Sequence, residues 1–294
     1  VDYLIASEHE VVIVDDLSTG RRTNINPAAT FYEIDIRSPD MHAVFEKERP
    51  DIVDHHAAQM SVNVSVSHPL LDADINILGT LNLLELCKEF DVKKFVYISS
   101  GGTVYGEPEY LPCDEAHPIR PLSPYGVSKY TIERYLYMYY HTYGLDYAAL
   151  RYANVYGPRQ DPKGEAGVVA IFTGQMLQGQ PVTIFGDGDQ ERDFVYVEDI
   201  ARANLLAMMR GNPRAYNIGS GRGTSVNQIY EALKAITNYD KDARRAPAKP
   251  GEVYKTYLTN GLAGEELGWE PQIDLTAGLE QTVAYFREVE LNEK

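Results

Sequence analysis

Residues 10–16, EVVIVDD, form a short apolar run that ends in two carboxylates, Asp15 and Asp16, and turns over through Leu17, Ser18, Thr19 and Gly20. A strand that closes on an acid and a turn has the pattern of the second strand of a dinucleotide-binding unit, where the acid meets an adenosine ribose. Such an acid normally follows a first strand and a glycine-rich loop by about 20 residues. Here only fourteen residues precede Asp15, and none of them is glycine. The segment therefore constrains the fold strongly while leaving its own first half to be accounted for.

The rest of the amino-terminal half keeps the same rhythm. FYEIDI (31–36), DIVDHHAA (51–58) and KKFVYISS (93–100) read as further strands, and the segments 38–50 and 69–92 have helical spacing. The second of these helices is apolar at Ile75, Leu78, Leu81, Leu84 and Leu86, which predicts its buried face. SPYGVSKYTIERYLYMYYHTYG (123–144) predicts a long helix, with Ser123 as N-cap, Pro124 in the first helical position and Gly144 as the stop. DYAALRYANVYG (146–157) returns to a strand. Alternation of this kind implies an α/β fold: a Rossmann-like, doubly wound parallel sheet with ligands at the carboxyl ends of its strands. After residue 157 the rhythm gives way to longer loops and short strands. The expected organisation is a nucleotide-binding domain over 1–157 and a smaller, interleaved substrate-binding region over 158–294.

Composition narrows the partners. The net charge of −16 argues against nucleic acid, because phosphate is repelled. The tyrosine-rich YLYMYYHTYG has the spacing of a partly buried helix face and not of a base-stacking surface. No apolar run approaches the roughly 18 to 20 residues that cross a bilayer, and nothing at the amino terminus has the regions of a signal peptide. Cys87 and Cys113 form no metal or redox spacing, and a cytoplasmic protein is the expectation. The adjacent His55 and His56 face opposite ways on a strand, so no metal is expected there.

The chemistry is carried by YGVSK, which puts Tyr125 and Lys129 four residues apart on one helix face. A phenol near pKa 10 is a poor base at neutral pH. A neighbouring ammonium and the positive end of a helix dipole favour the phenolate and are expected to bring it into working range. With 22 tyrosines in the chain, about one such pair arises by chance. Its context raises its weight, because the small-residue hydroxyl loop ISSGGTVYGE (98–107) follows a strand just upstream. A sheet-end loop followed by tyrosine and lysine on the next helix is a site that can approach a nicotinamide ring.

With these pieces in place, the sequence resembles the extended short-chain dehydrogenase/reductase family, and within it the UDP-glucose 4-epimerase group of nucleotide-sugar epimerases. The resemblance spans essentially the whole chain. It rests on DDLSTG, HHAAQ, NILGTLNLLE, SSGGTVYGE, SPYGVSKYTIE, RYANVYGPRQ, TIFGDGDQERDFVYVED, YNIGSG, KPGEV and EELGWEP, in that order.

The resemblance implies NAD as cofactor and a UDP-sugar as substrate. Asp15, with Asp16 and Ser18 beside it, would hold the adenosine ribose and favour NAD over NADP. Asp35 and Ile36 would flank the adenine, and Ala57 and Ala58 would line the cofactor with Asn76 anchoring that wall. Ser99, Tyr125, Lys129 and Tyr152 would complete the nicotinamide end. On the substrate side, Asn154 and Arg192 would contact the diphosphate, while Val168, Thr183 and Phe185 would surround the uracil. Glu252 would bind the nucleotide ribose. Lys249 stands in KPGE where the family often has arginine, so the bidentate phosphate contact of that position is missing. Thr256 occupies a position that some members fill with tyrosine, and its smaller size suggests room for 2-acetamido sugars. The family further implies a homodimer formed through a four-helix bundle.

One departure bears on the reaction. Epimerases of this group carry serine or threonine at the position of Gly101, leaving Ser100 and Thr103 as the neighbouring hydroxyls. Thr103 is favoured, because related 4,6-dehydratases place a sugar-facing glutamate there. Those dehydratases carry Thr-Asp-Glu or Thr-Ser-Glu where this chain has Gly101, Gly102 and Thr103. Elimination needs an acid and a base that these residues lack. The expected reaction is NAD-dependent 4-epimerisation through a transient 4-keto sugar, with Tyr125, Lys129, Thr103 and Ser100 as the catalytic set. UDP-glucuronate and UDP-N-acetylhexosamine are alternative substrates, and a non-catalytic nucleotide-binding protein is the alternative of another class. The first strand and its glycine loop, roughly 15 to 20 residues, are expected upstream of residue 1. The 294-residue chain is therefore expected to leave an unpaired slot in its sheet and to bind NAD weakly.

Overall fold

The computed structural model describes residues 1–162, 167–248 and 253–292. The first elements are α1 (Asp2–Ala6), β1 (Val12–Val14), β2 (Thr30–Tyr32), α2 (Met41–Glu48) and β3 (Ile52–His55). A nearly continuous helical segment follows, made of α3 (Val62–Ser67), α4 (Pro69–Ala73), a π-helical turn (Asp74–Gly79) and α5 (Thr80–Glu89). Then come β4 (Lys94–Ser100), α6 (Pro124–Tyr143) and β5 (Asp146–Tyr152). The later elements are β6 (Asn154–Tyr156), α7 (Val168–Leu177), β7 (Thr183–Phe185), β8 (Glu191–Arg192), β9 (Phe194–Tyr196) and α8 (Val197–Met209). They are followed by β10 (Arg214–Ile218), β11 (Thr224–Ser225), α9 (Val226–Thr237), β12 (Arg244–Ala246), β13 (Lys255–Thr256), α10 (Gly261–Leu267) and α11 (Leu275–Asn292).

The chain forms two compact units and passes between them repeatedly. The first comprises Val1–Val104, Pro121–Arg151 and Ala201–Tyr216; the second comprises Tyr105–Arg120, Tyr152–Ile200 and Asn217–Lys294.

In the first unit a four-stranded sheet has the order β10-β5-β4-β3, and β1 pairs with β2. Both the β3–β4 and β1–β2 ladders are parallel, with Asp54 opposite Val96 and Ile13 opposite Phe31. Among the described residues no strand hydrogen-bonds β1 to β3. β4 is buried along nearly its whole length, as expected for a parallel strand covered on both faces. Its core includes Phe95, Leu83, Leu84, Ile132, Leu136 and Ala149. The helix over 124–143 begins and ends as the sequence predicts. The Ser123 hydroxyl accepts from Gly126 N, Pro124 opens the helix, and Gly144 closes it at φ 77°.

The segment 69–89 departs from the apolar spacing read in the sequence. Leu78 is 58% exposed, while Asp72, Asn76 and Thr80 are buried. The π-helical turn lies between them, and its wider i→i+5 winding rotates the buried face away from Leu78. A polar ladder at four-residue spacing thus occupies part of the face that the sequence predicts to be apolar.

The second unit packs α7, α9 and α11 around a core that includes Val169, Phe172, Ile184, Ile229, Leu233 and Leu279. β6 pairs parallel to β9, β12 to β7, and β8 lies between β11 and β13. Trp269 is fully buried and donates its indole N–H to Asp199 O at 2.8 Å. No helix among the described residues is long and apolar enough to cross a membrane.

Candidate active site

In the first unit the predicted residues collect at the carboxyl ends of β1, β3 and β4 and along one face of α6. Asp15 follows β1 and is half-buried; its Oδ1 accepts from Leu17 N at 2.7 Å, while Oδ2 accepts no bond among the described residues. Asp16 and Ser18 are exposed and hydrogen-bonded to each other. Asp35 follows β2, and Arg37 grips both of its oxygens and also reaches Asp74. This contact holds the Asp35 carboxyl below its usual range. Ile36 turns its side chain into the core against Gly79, where a Cβ would approach it to 2.7 Å.

Ala57 and Ala58 follow β3 in a half-buried stretch. Asn76 holds that stretch from the π-helical turn. Its Oδ1 accepts from Gln59 N at 2.8 Å and its Nδ2 donates to Gln59 O at 2.9 Å. The same Nδ2 lies 3.0 Å from Asp72 Oδ1 and 3.3 Å from Ser128 Oγ. Ser99, predicted beside the cofactor, gives its hydroxyl to Glu133 at 2.6 Å.

Tyr125 and Lys129 share the face of α6 that packs on β4. Lys129 is buried, and its Nζ donates to Ile98 O at 2.9 Å, 5.1 Å from the centre of the Tyr97 ring and 5.7 Å from that of Tyr125. Burial brings the lysine down to about 8, with Asp72 pulling it upward. The Tyr125 phenol moves opposite to the sequence expectation. Burial pushes it up to about 12, a hydrogen bond with Ser100 pulls it down, and the Asp72 charge adds to the rise. A helix-start position and a nearby lysine do not outweigh the removal of the phenolate from water.

The structure separates the two candidate hydroxyls. Ser100 bonds to the Tyr125 side chain, whereas Thr103 Oγ1 is buried without a partner among the described residues. Gly126, in the first turn of α6, lies against this loop; a Cβ there would come within 2.9 Å of Thr103 O.

Three buried groups escaped the sequence reading. Asp72 is 1% exposed and accepts from Gln59 Nε2 and Asn76 Nδ2. Glu133 and Arg151 form a buried ion pair, with NH2 to Oε2 at 2.6 Å. His55 is buried, bonded to Thr80 Oγ1 at 2.9 Å, and burial depresses it to about 3. The available signals were the four-residue steps Asp72–Asn76–Thr80 and Tyr125–Lys129–Glu133. A polar residue repeating on the inner face of a helix marks a buried network.

In the second unit Tyr152 ends β5 and Asn154 opens β6, where Asn154 N donates to Asp193 O at 2.9 Å. Arg192 and Thr256 are register partners in the β8–β13 ladder. Arg192 NH1 donates to Glu191 O and Tyr254 O. The neighbouring acids are engaged elsewhere: Glu191 with Lys255, and Asp193 with Ser220 and the Gly221 and Leu258 amides. Thr256 is buried, whereas Phe185 is 37% exposed at the end of β7, which Thr183 begins. Val168 opens α7. Lys249 and Glu252 lie outside the described residues. Among the described residues no cluster of histidine, cysteine and carboxylate could hold a metal ion.

The expected dinucleotide fits the first-unit residues. The buried Lys129 ammonium uses one of its three N–H donors, leaving two for a ribose diol. Asp15 Oδ2 is open to a second ribose at the end of β1.

Comparison with known proteins shows the family to which the chain belongs. The description of the NAD dependent epimerase/dehydratase family matches residues 1–219. The crystal structure of UDP-glucose 4-epimerase from Thermotoga maritima with UDP-glucose is similar at 51% identity and TM-score 0.97, over 98% of this chain and 94% of that one. The UDP-glucose 4-epimerase of Thermus thermophilus, solved with NAD, gives 42% identity and TM-score 0.92 over 97% and 94% of the two chains. A UDP-glucose 4-epimerase of Mycolicibacterium smegmatis is 41% identical over 98% of this chain and 94% of its own length. With its parallel sheet, its Tyr125–Lys129 pair and this extent of similarity, the chain belongs to the NAD dependent epimerase/dehydratase family.

Proposed function

We propose that this chain catalyses the NAD-dependent 4-epimerisation of a UDP-sugar, interconverting UDP-glucose and UDP-galactose. The observation that carries the reading is half-buried Tyr125, bonded to Ser100, against the buried Lys129, beside a loop whose residues 101–103 offer no acid or base for elimination. When bound, NAD supplies the acceptor, and later the donor, of the sugar's C4 hydride, together with a positive charge. In its phenolate form, which the Lys129 ammonium favours, Tyr125 would take the proton of the 4-hydroxyl and return it after the 4-keto sugar has turned its opposite face. Lys129 stabilises the phenolate and donates to the cofactor ribose, and Ser100 keeps the phenol in place. Asp15 binds the other ribose and disfavours a 2′-phosphate. Asp35, Ile36, Ala57, Ala58, Asn76 and Tyr152 form the rest of the cofactor wall. Ser99 supports that wall through Glu133.

Asn154, Val168, Thr183, Phe185, Arg192 and Thr256 form the nucleotide-sugar side, with Lys249 and Glu252. Residues 1–157 carry the cofactor and 158–294 mainly the substrate, in the cytoplasm. The chain associates as a homodimer through the 69–89 segment and α6. The support for that pairing is the exposure of Leu70, Leu71, Leu78, Val127, Tyr137 and Tyr143 on these helices.

The test is incubation with NAD and a panel of UDP-sugars, resolving the epimers by chromatography. UDP-galactose is expected from UDP-glucose, and Tyr125→Phe should lower turnover by at least ~100-fold, the scale of a lost general base. Turnover of no sugar sinks the reading, provided NAD binding is measured by calorimetry on the same preparation. That second measurement separates weak NAD binding from absence of the activity. Turnover of UDP-N-acetylglucosamine would extend the substrate range in the direction the Thr256 side chain suggests.

A further inference from the structure

The buried charges around Lys129 do not balance without a residue outside the tyrosine–lysine pair. The ionisable groups that face it come from four elements. α6 contributes Tyr125, β4 contributes Tyr97, β3 contributes His55, and α4 contributes Asp72, while Glu133 of α6 acts on the same Tyr97 phenol. Glu133 is neutralised by Arg151 of β5. Burial keeps His55 uncharged and holds the Tyr97 phenol in its neutral form. Asp72 differs from all of these. Its carboxylate is 1% exposed, yet both bonds it accepts come from neutral amides, Gln59 Nε2 at 2.9 Å and Asn76 Nδ2 at 3.0 Å.

The amide that binds Asp72 also reaches the catalytic helix. Asn76 Nδ2 lies 3.3 Å from Ser128 Oγ, and that hydroxyl donates to Tyr125 O at 2.9 Å. One chain of contacts therefore runs from the Asp72 carboxylate through Ser128, one residue before Lys129, to the turn that bears Tyr125. A buried carboxylate satisfied only by neutral donors persists where a positive charge nearby compensates it. Lys129 is the buried cation whose Nζ is bonded only to a carbonyl among the described residues.

We propose that Asp72 is a positioning residue of this enzyme: it is the counter-charge that keeps Lys129 an ammonium, and through Asn76 and Ser128 it fixes the first turn of α6. The proposal rests on the epimerase reading for its kinetic consequence, though not for its electrostatic one. Removing the charge destabilises the ammonium and also makes the Tyr125 phenolate easier to form, since Asp72 opposes that anion. Activity that needs a charged Lys129 is lost as pH rises through the lysine midpoint, near 8 in the intact chain. With Asp72 neutralised, both the acid and the alkaline limbs of the profile move to lower pH.

The variant is Asp72→Asn, whose side-chain oxygen can still accept from both amides, so packing and hydrogen bonds are retained. The first measurement is the Lys129 Nζ titration, followed by NMR on the 15N-lysine-labelled chain and assigned with Lys129→Met. Its midpoint is expected to fall by about 0.5 to 1 pH unit in Asp72→Asn, the effect of one partly screened buried charge. The second is the pH profile of kcat for UDP-glucose, whose two limbs should shift down together while the thermal midpoint changes little. Asp72→Glu should restore the charge and return both midpoints toward their original values. An unmoved lysine titration in Asp72→Asn overturns the proposal, as does a uniform loss of kcat at every pH with the limbs in place. The NMR arm reads out even if no UDP-sugar is turned over, so failure of the epimerase reading and failure of this inference remain distinguishable.

Discussion

At the residue scale, the loop after β4 replaces one expected hydroxyl by two with different environments. Ser100 is bonded to the Tyr125 side chain, and Thr103 Oγ1 is buried with no partner among the described residues. An unsatisfied buried hydroxyl costs roughly 1–3 kcal/mol, so it persists where another requirement holds it. The family resemblance led to the expectation of Thr103 as the sugar-facing group, and the phenol contact falls to Ser100. The two substitutions should therefore separate in steady-state kinetics. Ser100→Ala is expected to lower kcat by about 10-fold or more, through loss of a hydrogen bond made to the general base. Thr103→Val removes only the orphan hydroxyl. It should leave the folded chain as stable or slightly more stable, and raise KM if the sugar takes that bond. Equal kcat losses in both variants would show that the division of roles is wrong. Tyr125, Lys129 and Asp15 could be proposed from the sequence because each depends on short-range spacing. Asp72 could not, because the role proposed for it comes from partners at positions 59 and 76 and, through Asn76, from Ser128.

At the element scale, α6 was readable in full and the 69–89 segment only in outline. Ser123, Pro124 and Gly144 are local stop and start signals, and they act through the backbone groups at the helix ends. The π-helical turn at Asp74–Gly79 has no comparable signature, and it moves the buried face away from Leu78. Gly79 sits where Ile36 comes closest, which is a packing reason for a residue without Cβ. The start of α6 is equally close to the catalytic loop. In Gly126→Ala the new methyl would meet Thr103 O and Pro121 Cβ, each at 2.9 Å. Backbone cannot rotate away as a side-chain tip can, so the first turn must shift. The expected result is a loss of about 1–3 kcal/mol in stability and at least ~10-fold in kcat, since Tyr125 moves with the turn. Denaturant unfolding and turnover on the same preparation check it; wild-type kcat in a stable Gly126→Ala chain would show that the turn's position is not critical.

At the scale of the whole molecule, the strands expected to lie in one sheet divide into β1-β2 and β10-β5-β4-β3. Each unit has its own core, and the chain enters each of them three times. Segments far apart in sequence therefore build a single unit, as Asp193 shows by accepting from Ser220 and Leu258. Exposed Leu70, Leu78 and Tyr137 belong to this scale as well, because the proposed homodimer would cover them. Sedimentation or light scattering is expected to give twice the chain mass, and Leu78→Glu with Tyr137→Glu should shift it to the single-chain mass. A single-chain mass in the unmodified protein would remove the bundle assignment.

Strand–helix alternation, the acid at the end of β1, the capped helix over 124–143 and the Tyr125–Lys129 step were fixed by local order, since each depends on residues within a few turns of one another. They sufficed for the fold class and the type of chemistry. The protonation preference of Tyr125, its bond with Ser100, the capture of Ser99 by Glu133 and the buried Asp72 ladder were decided only when distant segments packed. Burial and charge are sums over neighbours in space, and a tyrosine beside a lysine in sequence becomes a neutral phenol or a base according to what surrounds it.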